Sequence, residues 1–220
     1  SITIPSSVTS IGNSAFYGCT GLTSITIPSS VTSIGNYAFY NCTSLESIIL
    51  PFVGATKDET ENTHFGYIFG ASSNLYSDVP KSLKKVTITG GSIGYSAFSY
   101  CSSLISATIG ESVTSIDSYA FYKCSKLTSI TIPDSVTTIG EGAFMGAAEL
   151  TEITLGDGAV IGDMAFYGCT GIISITAPGA TVEIGRSAFY GCTALKEIVF
   201  PASVIEIGES AFEGCINLES

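Results

Sequence analysis

Charged side chains are scarce in this sequence. They make up 12% of its 220 residues, whereas typical soluble domains contain roughly 25%. Eight are basic and nineteen are acidic, which gives a formal net charge of −11. Because binding to phosphate groups requires clustered Lys and Arg, we expect neither a nucleic acid nor an acidic membrane as a partner. Residues 141–220 hold eleven of the acids, whereas residues 1–45 carry no charged side chain.

Long apolar runs, histidines and closely paired cysteines are also missing or rare. No stretch of 18 apolar residues occurs, so the sequence predicts no membrane insertion. The one histidine is His64, and none of the seven cysteines has C-x-x-C spacing. Zinc needs paired ligands and a nucleophilic thiol needs a nearby base, so we predict no metal, no cofactor and no catalytic site. The chain starts on SITIP without a signal region, and we expect any export signal to lie outside it.

A repeat of 22 or 23 residues accounts for most of what is present. The dipeptide Ala-Phe starts at positions 15, 38, 97, 120, 143, 165, 188 and 211, with one longer interval of 59 residues. In the unit LTSITIPSSVTSIGNYAFYNCTS the apolar positions recur in phase with those of the other units: Leu22, Ile25, Ile27, Val31, Ile34, Ala38, Phe39 and Cys42. Self-similarity at a fixed period of this length is typical of solenoids and related repeat proteins.

Each unit predicts three short sides of one coil. Ile25 and Ile27 alternate with polar residues, as in a strand with one buried face, and Pro28 ends that strand. VTSIG predicts a second short side that turns at its glycine, and AFYxC predicts a tight turn, with a helical turn as one alternative. One coil buries too little apolar surface to offset its ordering entropy, so the coils must stack. We therefore predict a repeat solenoid of about nine coils that forms one domain over residues 1–220.

The pattern L-x-x-I-x-I followed by G-x-x-A-F-x-x-C, at a period of 23 residues, resembles the BspA-type leucine-rich repeats of bacterial and protozoan surface proteins. The resemblance covers nearly the whole chain. It implies a right-handed leucine-rich-repeat superhelix with a parallel β-sheet on its concave face and short strands, turns or 3₁₀ segments on the other sides. It also implies a location outside the cell or at the cell surface and no catalysis. Both ends stop in phase, at SITIP and CINLES, so we expect a fragment of a longer array.

Cysteine occupies one fixed position of the repeat. It lies three residues after the repeated phenylalanine, at positions 19, 42, 101, 124, 169, 192 and 215, and the remaining unit has Ala147 there. A position that accepts Cys or Ala is selected for a small buried apolar group. Disulfides between stacked coils are the alternative, which parallel Cβ vectors and an odd number of cysteines disfavour. We predict free thiols that fill space in the core.

The outward-facing strand residues are the first candidates for ligand binding. They are Thr26, Ser47, Ile49, Lys85, Thr87, Thr108, Thr131, Glu152, Thr154, Thr176 and Glu197. A continuous face of small hydroxyl groups offers hydrogen bonds at a low cost in side-chain entropy, which suits an extended polypeptide or glycan. The alternative is that threonine is simply a good residue for an exposed strand position.

An insertion at about residues 51–82 supplies the second candidates. Its acids Asp58, Glu59 and Glu61, together with His64, favour a binding loop or a divalent-cation site, since solenoid insertions project from one edge. Their spacing does not fit D-x-D-x-D-G. In the alternative interpretation the acids form a solvated loop tip, and HFGYIFG replaces AFYGC with Phe65 or Phe69 at the phenylalanine position.

A tyrosine follows the repeated phenylalanine at positions 17, 40, 122, 167 and 190. This row favours either stacking against sugar rings or shielding of the coil edge with the hydroxyl groups in water. Taken together, the sequence favours a non-catalytic binding or adhesion scaffold of a secreted or cell-surface protein, with an extracellular protein or glycan as its partner. The alternative function is that of a passive spacer that holds another domain away from the cell surface.

Overall fold

In a computed structural model, which describes residues 2–57, 63–72, 78–156, 158–176 and 183–219, the chain is a parallel β-solenoid of about eight turns. Its strands are β1 (Ser10–Ile11), β2 (Ser24–Thr26), β3 (Ser33–Ile34), β4 (Ser47–Leu50), β5 (Lys85–Ile88), β6 (Ser106–Ile109), β7 (Ser115–Ile116), β8 (Ser129–Thr131), β9 (Thr138–Ile139), β10 (Glu152–Thr154), β11 (Val160–Ile161), β12 (Ser174–Thr176), β13 (Glu183–Ile184), β14 (Glu197–Val199) and β15 (Glu206–Ile207). One 3₁₀ helix spans Phe65–Phe69. The solenoid prediction is confirmed, with about eight turns where about nine were expected, because β2 is the edge strand of the main sheet and the segment around Thr3 forms no strand.

The main sheet contains eight parallel strands in the order β14-β12-β10-β8-β6-β5-β4-β2. The alternation predicted from the sequence holds in it: Ile25 of β2 is buried between the exposed Ser24 and Thr26. Although 38 residues separate Ser47 from Lys85, these two are direct partners in the ladder between β4 and β5. The extra residues of the insertion therefore leave the register of this sheet unchanged.

A second sheet lies on the next side of each coil, and the insertion interrupts it. One part pairs β1 with β3, and the other has five strands in the order β15-β13-β11-β9-β7. Between the two parts lie single bridges, an antiparallel one from Ser33 to Thr56 and a parallel one from Ile93 to Ile116. The insertion coil, residues 51–82, thus departs from the repeat on this side of the solenoid.

The third side of each coil consists of β-turns, so the helical alternative for AFYxC is wrong. In the first coil the Tyr17 N–H donates to the Ser14 carbonyl over three residues (3.0 Å), and the Cys19 N–H donates to Phe16 in the same way (3.1 Å). Ser14 and Gly18 have left-handed φ angles of 57° and 71°, which a helix cannot contain. A left-handed residue before Ala-Phe and another before the Cys position recur in the later coils.

The remaining N–H groups of these turns bond from coil to coil. Three donate to carbonyl groups of the following coil: Ser14 to Asn36 (3.0 Å), Phe16 to Ala38 (2.8 Å) and Gly18 to Tyr40 (2.8 Å). The same pattern recurs towards the other end, where Ser187, Phe189 and Gly191 donate to Glu209, Ala211 and Glu213. The turns are therefore satisfied both locally and by the next coil, as buried backbone groups must be.

A column of phenylalanine rings runs through the core. From Phe98 to Phe212 successive rings are parallel, with centroids 5.1–5.3 Å apart. At the insertion coil both Phe65 and Phe69 enter the column, since Phe69 lies 6.2 Å from Phe39 and Phe65 lies 4.8 Å from Phe98. The sequence left the choice between these two rings open, and the structure uses both, because the 3₁₀ helix that contains them places one ring against each neighbouring coil.

Candidate binding surfaces

The outward side chains of the main sheet form two rows, which we call the sheet face. The first row holds Ser24, Ser47, Lys85, Ser106, Ser129, Glu152, Ser174 and Glu197, and the second holds Thr26, Ile49, Thr87, Thr108, Thr131, Thr154, Thr176 and Val199. All eleven strand residues proposed from the sequence therefore lie on one surface. Each row is in register, so neighbouring side chains repeat at the strand spacing of ~4.8 Å.

Charge and apolar surface are unevenly placed on the sheet face. Lys85 lies next to the insertion coil, whereas Glu152 and Glu197 lie in the later coils. The threonines between these charges are exposed or half-buried. Apolar side chains interrupt the second row at Ile49, which is 36% exposed, and at Val199, which is 63% exposed. The surface thus offers mainly hydroxyl groups, with isolated charges and two apolar contacts.

A cavity of about 470 Å³, here called the insertion groove, opens where the second sheet is interrupted. Its lining includes Val31, Phe52, Lys57, Thr89, Ser92 and Thr114. Thr89 directly follows β5, so the groove begins at the carboxyl end of the main-sheet strands. Among the described residues that line it, Lys57 carries the one charge. The groove therefore favours a neutral or anionic group with many hydrogen-bonding atoms.

Sequence reasoning did not identify this groove. The available signal was the adjacent pair Gly90-Gly91 in a unit of 21 residues, which is shorter than its neighbours. Gly91 has φ = 76°, and a side chain there would come within 3.2 Å of Phe52 Cβ. Glycine at this position therefore allows the chain to turn closely over the insertion coil, which leaves the groove beside it.

The predicted acid and histidine cluster is only partly described. Asp58, Glu59 and Glu61 lie outside the described residues. His64 is buried, with its ring edge-on to Tyr67 at 6.3 Å, and burial lowers its pKa. Within the described ranges, no group of three His, Cys, Asp or Glu residues could hold a metal ion. His64 is therefore placed as a packing residue beside the 3₁₀ helix, and its relation to the acids stays a prediction.

The seven cysteines are free thiols, and five of them are buried. Where the bond is seen, the thiol donates to the phenylalanine carbonyl of the preceding coil: Cys42 to Phe16 (3.2 Å), Cys124 to Phe98 (3.1 Å), Cys169 to Phe144 (3.1 Å), Cys192 to Phe166 (3.3 Å) and Cys215 to Phe189 (3.2 Å). Burial raises the pKa of Cys169 to about 12, so this thiol keeps its proton. The sequence predicted the packing role but not this repeated hydrogen bond.

The tyrosines after the repeated phenylalanine stack where they are adjacent in the coil order. Tyr17 and Tyr40 have centroids 5.2 Å apart, and Tyr167 and Tyr190 are nearly parallel at 4.8 Å. In each pair one ring covers a face of the other. Tyr122, the remaining tyrosine of this row, is arranged differently. It meets the rings of Tyr100 and Tyr119 edge to face.

Comparisons with known proteins agree with this architecture. The model of the BspA type leucine rich repeat region matches the chain in six copies, over residues 1–89, 67–160 and 91–219. A leucine rich repeat protein of T. pallidum is 24% identical and shares the fold, with a TM-score of 0.51 over 95% of this chain and 85% of that one. No curated protein matches the sequence.

Another solved structure is a leucine rich cell surface protein from Faecalibacterium prausnitzii, which is 30% identical with a TM-score of 0.45. The alignment covers 98% of this chain, which spans about half (51%) of the Faecalibacterium chain. Within the described residues, no helix is both long enough and apolar enough to cross a membrane. Since the family model matches in overlapping stretches from residue 1 to residue 219, the chain belongs to the BspA-type leucine-rich repeat family.

Proposed function

We propose that this chain is a non-catalytic binding scaffold, acting as one solenoid unit outside the cell or at its surface, and that it holds an extended extracellular polypeptide or glycan. The observation that carries the proposal is the sheet face, on which two rows of outward side chains stay in register across eight strands. Membership of the BspA-type family supports a role in binding or adhesion. The family and the absence of a predicted catalytic cluster both favour a protein without enzymatic activity.

The dimensions of the sheet face suit an extended partner. Eight strands give seven steps and a length of about 34 Å, and every strand except β14 carries at least one outward serine or threonine hydroxyl. Serine and threonine lose little rotamer entropy on binding, so many weak hydrogen bonds can add up along a linear ligand. Ile49 and Val199 provide apolar contacts among these hydroxyl groups.

The insertion groove extends this surface at β4 and β5. Pro51 and Thr89, which directly follow these two strands, belong to its lining, so a partner lying across the strands can continue into the groove. Lys57 lines the groove, and Lys85, at the opposite end of β5, adds a second positive charge to the same part of the sheet face. We therefore expect the partner to present a carboxylate or a polyhydroxyl group at the insertion coil.

A binding screen on glycan and extracellular-matrix protein arrays tests the proposal. The double variant Thr108→Lys and Thr131→Lys places two long cations in the middle of the sheet face, and we expect at least a tenfold loss of affinity for any ligand found. Asp58→Asn, Glu59→Gln and Glu61→Gln together test the insertion loop. Thr138→Lys is the matched control, because Thr138 is an exposed strand threonine on the second sheet.

The outcomes separate the two functions that the sequence left open. Loss of binding in the sheet-face variant, with binding retained by Thr138→Lys, supports the scaffold. Equal loss in both variants would show that added charge anywhere weakens binding, and would contradict the assignment to the sheet face. If the native chain binds nothing on either array, the passive spacer becomes the better interpretation.

A further inference from the structure

Four tyrosine rings meet on the turn side of two consecutive coils, well away from the residues of the sheet face. They are Tyr95, Tyr100, Tyr119 and Tyr122, and they line a cavity of about 320 Å³ together with Met145 and Met164. Tyr119 is edge-on to Tyr95 (5.9 Å, 77°) and to Tyr122 (5.9 Å, 90°). Tyr122 is in turn edge-on to Tyr100 (5.3 Å, 88°). We call this group the tyrosine cage.

The cage exists because its neighbours in the repeat are small or flexible. The tyrosine that would stack on Tyr122 is replaced by Ser99 in the preceding coil and by Met145 in the following one. Gly142 leaves space for the Tyr119 ring, since a Cβ atom at this position would lie 2.6 Å from Cε1 of that ring. The stacked pairs elsewhere cover each other's faces, whereas these four rings meet edge to face and line one cavity.

The charge around the cage is negative on one side. The Tyr119 hydroxyl donates a hydrogen bond to Oε1 of Glu141. This bond raises the pKa of Tyr119 to about 12, so the phenol stays protonated while it points at a carboxylate. Donation to an anion makes the ring more electron-rich, which strengthens its attraction for a cation over its face. Lys123 already places its Nζ 5.8 Å from the centroid of Tyr122.

We propose that the tyrosine cage binds a quaternary ammonium group, because four tyrosine rings line one cavity and one of them, Tyr119, donates its hydroxyl hydrogen to the carboxylate of Glu141. Aromatic cages recognise such cations through the negative faces of their rings. The volume fits a small ligand, within the usual range of about 300–1,000 Å³ for ligand cavities. The two methionines contribute polarizable sulfur atoms to the wall.

A neutral sugar fits the cavity less well. Among the described residues that line it, none is a carboxylate, amide or guanidinium, the groups that fix sugar hydroxyls in a defined orientation. The Ser99 hydroxyl, which could contribute, is buried and donates to the Tyr119 carbonyl at 2.9 Å. The net charge of −11 also attracts a cation and not a neutral ligand.

Choline titration followed by tyrosine fluorescence and NMR tests the proposal on the whole chain, which contains no tryptophan. We expect saturable binding of choline and at least about tenfold weaker binding of 3,3-dimethylbutan-1-ol, which has the same shape without the charge. Tyr122→Leu should weaken choline binding about tenfold or more. Tyr167→Leu, which removes one ring of a stacked pair, is the matched control and should change nothing.

Two further variants test the charge separately from the shape. Tyr119→Phe keeps the ring but removes its link to Glu141, and we expect binding about threefold weaker. Lys123→Met removes a nearby positive charge, and we expect binding about twofold tighter at low salt. Thermal unfolding by circular dichroism identifies any variant that has lost its fold.

Three results would overturn the proposal. They are binding of dimethylbutanol as tight as that of choline, weaker choline binding by Lys123→Met, and no saturable choline signal up to about 50 mM. Binding of methyl glucoside without binding of choline would assign the cage to sugars. If choline binds, a peptide that contains trimethyllysine is titrated next, because it carries the same quaternary ammonium group on a protein chain. The ligand that binds more tightly, choline or the peptide, identifies the kind of molecule that supplies this group.

Discussion

The regular coils from β6 onwards and the insertion coil share the main sheet but differ on the other two sides of the solenoid. In the regular coils the second sheet continues from β7 to β15, and the phenylalanine rings stack in parallel. At the insertion coil the second sheet breaks, and Phe65 and Phe69 replace one ring. The register of the main sheet thus depends on its own ladder, while the other sides depend on each coil matching its neighbour. An irregular coil can therefore form a new surface on these two sides while the main sheet keeps its register.

The largest expected difference between the two regions concerns the removal of a buried phenylalanine ring. Phe121 is fully buried between Phe98 and Phe144, so Phe121→Ala should cost about 3–5 kcal/mol of unfolding free energy. Phe52→Ala, in the insertion coil beside the groove, should cost less because the groove lets the site relax. Urea unfolding followed by circular dichroism measures both. Equal losses would contradict the contrast between the regions.

A smaller effect is expected at the glycine that closes the second short side. An added Cβ at Gly140 would come 2.5 Å from the backbone N of Ser118, so Gly140→Ala should cost about 1–3 kcal/mol. At Gly94, which faces the insertion coil, the nearest atom would be Thr63 Cβ at 3.6 Å. Gly94→Ala should therefore change stability by less than about 0.5 kcal/mol. Similar melting of these two variants would show that the coils are equally spaced in both regions.

The smallest expected effect is a pH dependence of stability caused by the buried thiols, which the insertion coil lacks. Burial raises the folded-state pKa of Cys169 to about 12 from an ordinary value of 9.0, so its stabilisation is complete below pH 9 and is lost as the pH rises towards 12. The stability advantage of the native chain over Cys169→Ala should shrink by about 1 kcal/mol by pH 10. Unfolding curves at several pH values measure this. Parallel pH profiles would mean that the Cys169 thiol is not buried.

The repeat made most of the fold predictable, because the same apolar positions return in every unit. Ile25 and Phe39 were placed in the core from their phase alone, and both are buried. The left-handed residues were not predicted, since Ser14 gives no local signal for a positive φ. In the structure its N–H donates to Asn36 of the next coil, a contact between coils that the local sequence does not indicate.

The candidate sites also differ in whether they follow from the repeat. The sheet face was predictable because strand alternation fixes which side chains point outwards. The insertion groove and the tyrosine cage were not, because each depends on departures from the repeat in adjacent coils. The four tyrosines of the cage occupy four different positions of the repeat unit: Tyr95, Tyr100, Tyr119 and Tyr122. A comparison of equivalent positions in successive units therefore does not group them.

The hydrogen bonds between the turns have an electrostatic consequence. Their N–H groups donate towards the following coil from Ser14, at the start, to Gly191, near the end. The peptide dipoles of this side consequently align head to tail along the solenoid axis, as they do along an α-helix. Their positive pole lies at the last coils, within residues 141–220, which hold eleven acids, and their negative pole lies at residues 1–45, which carry no charged side chain. On the second-sheet side the N–H groups donate to the preceding coil instead, as Gly140 does to Ile116 and Gly162 does to Ile139. The two sides therefore carry opposed backbone polarity, and the acids of the last coils lie at the positive pole of the turn side.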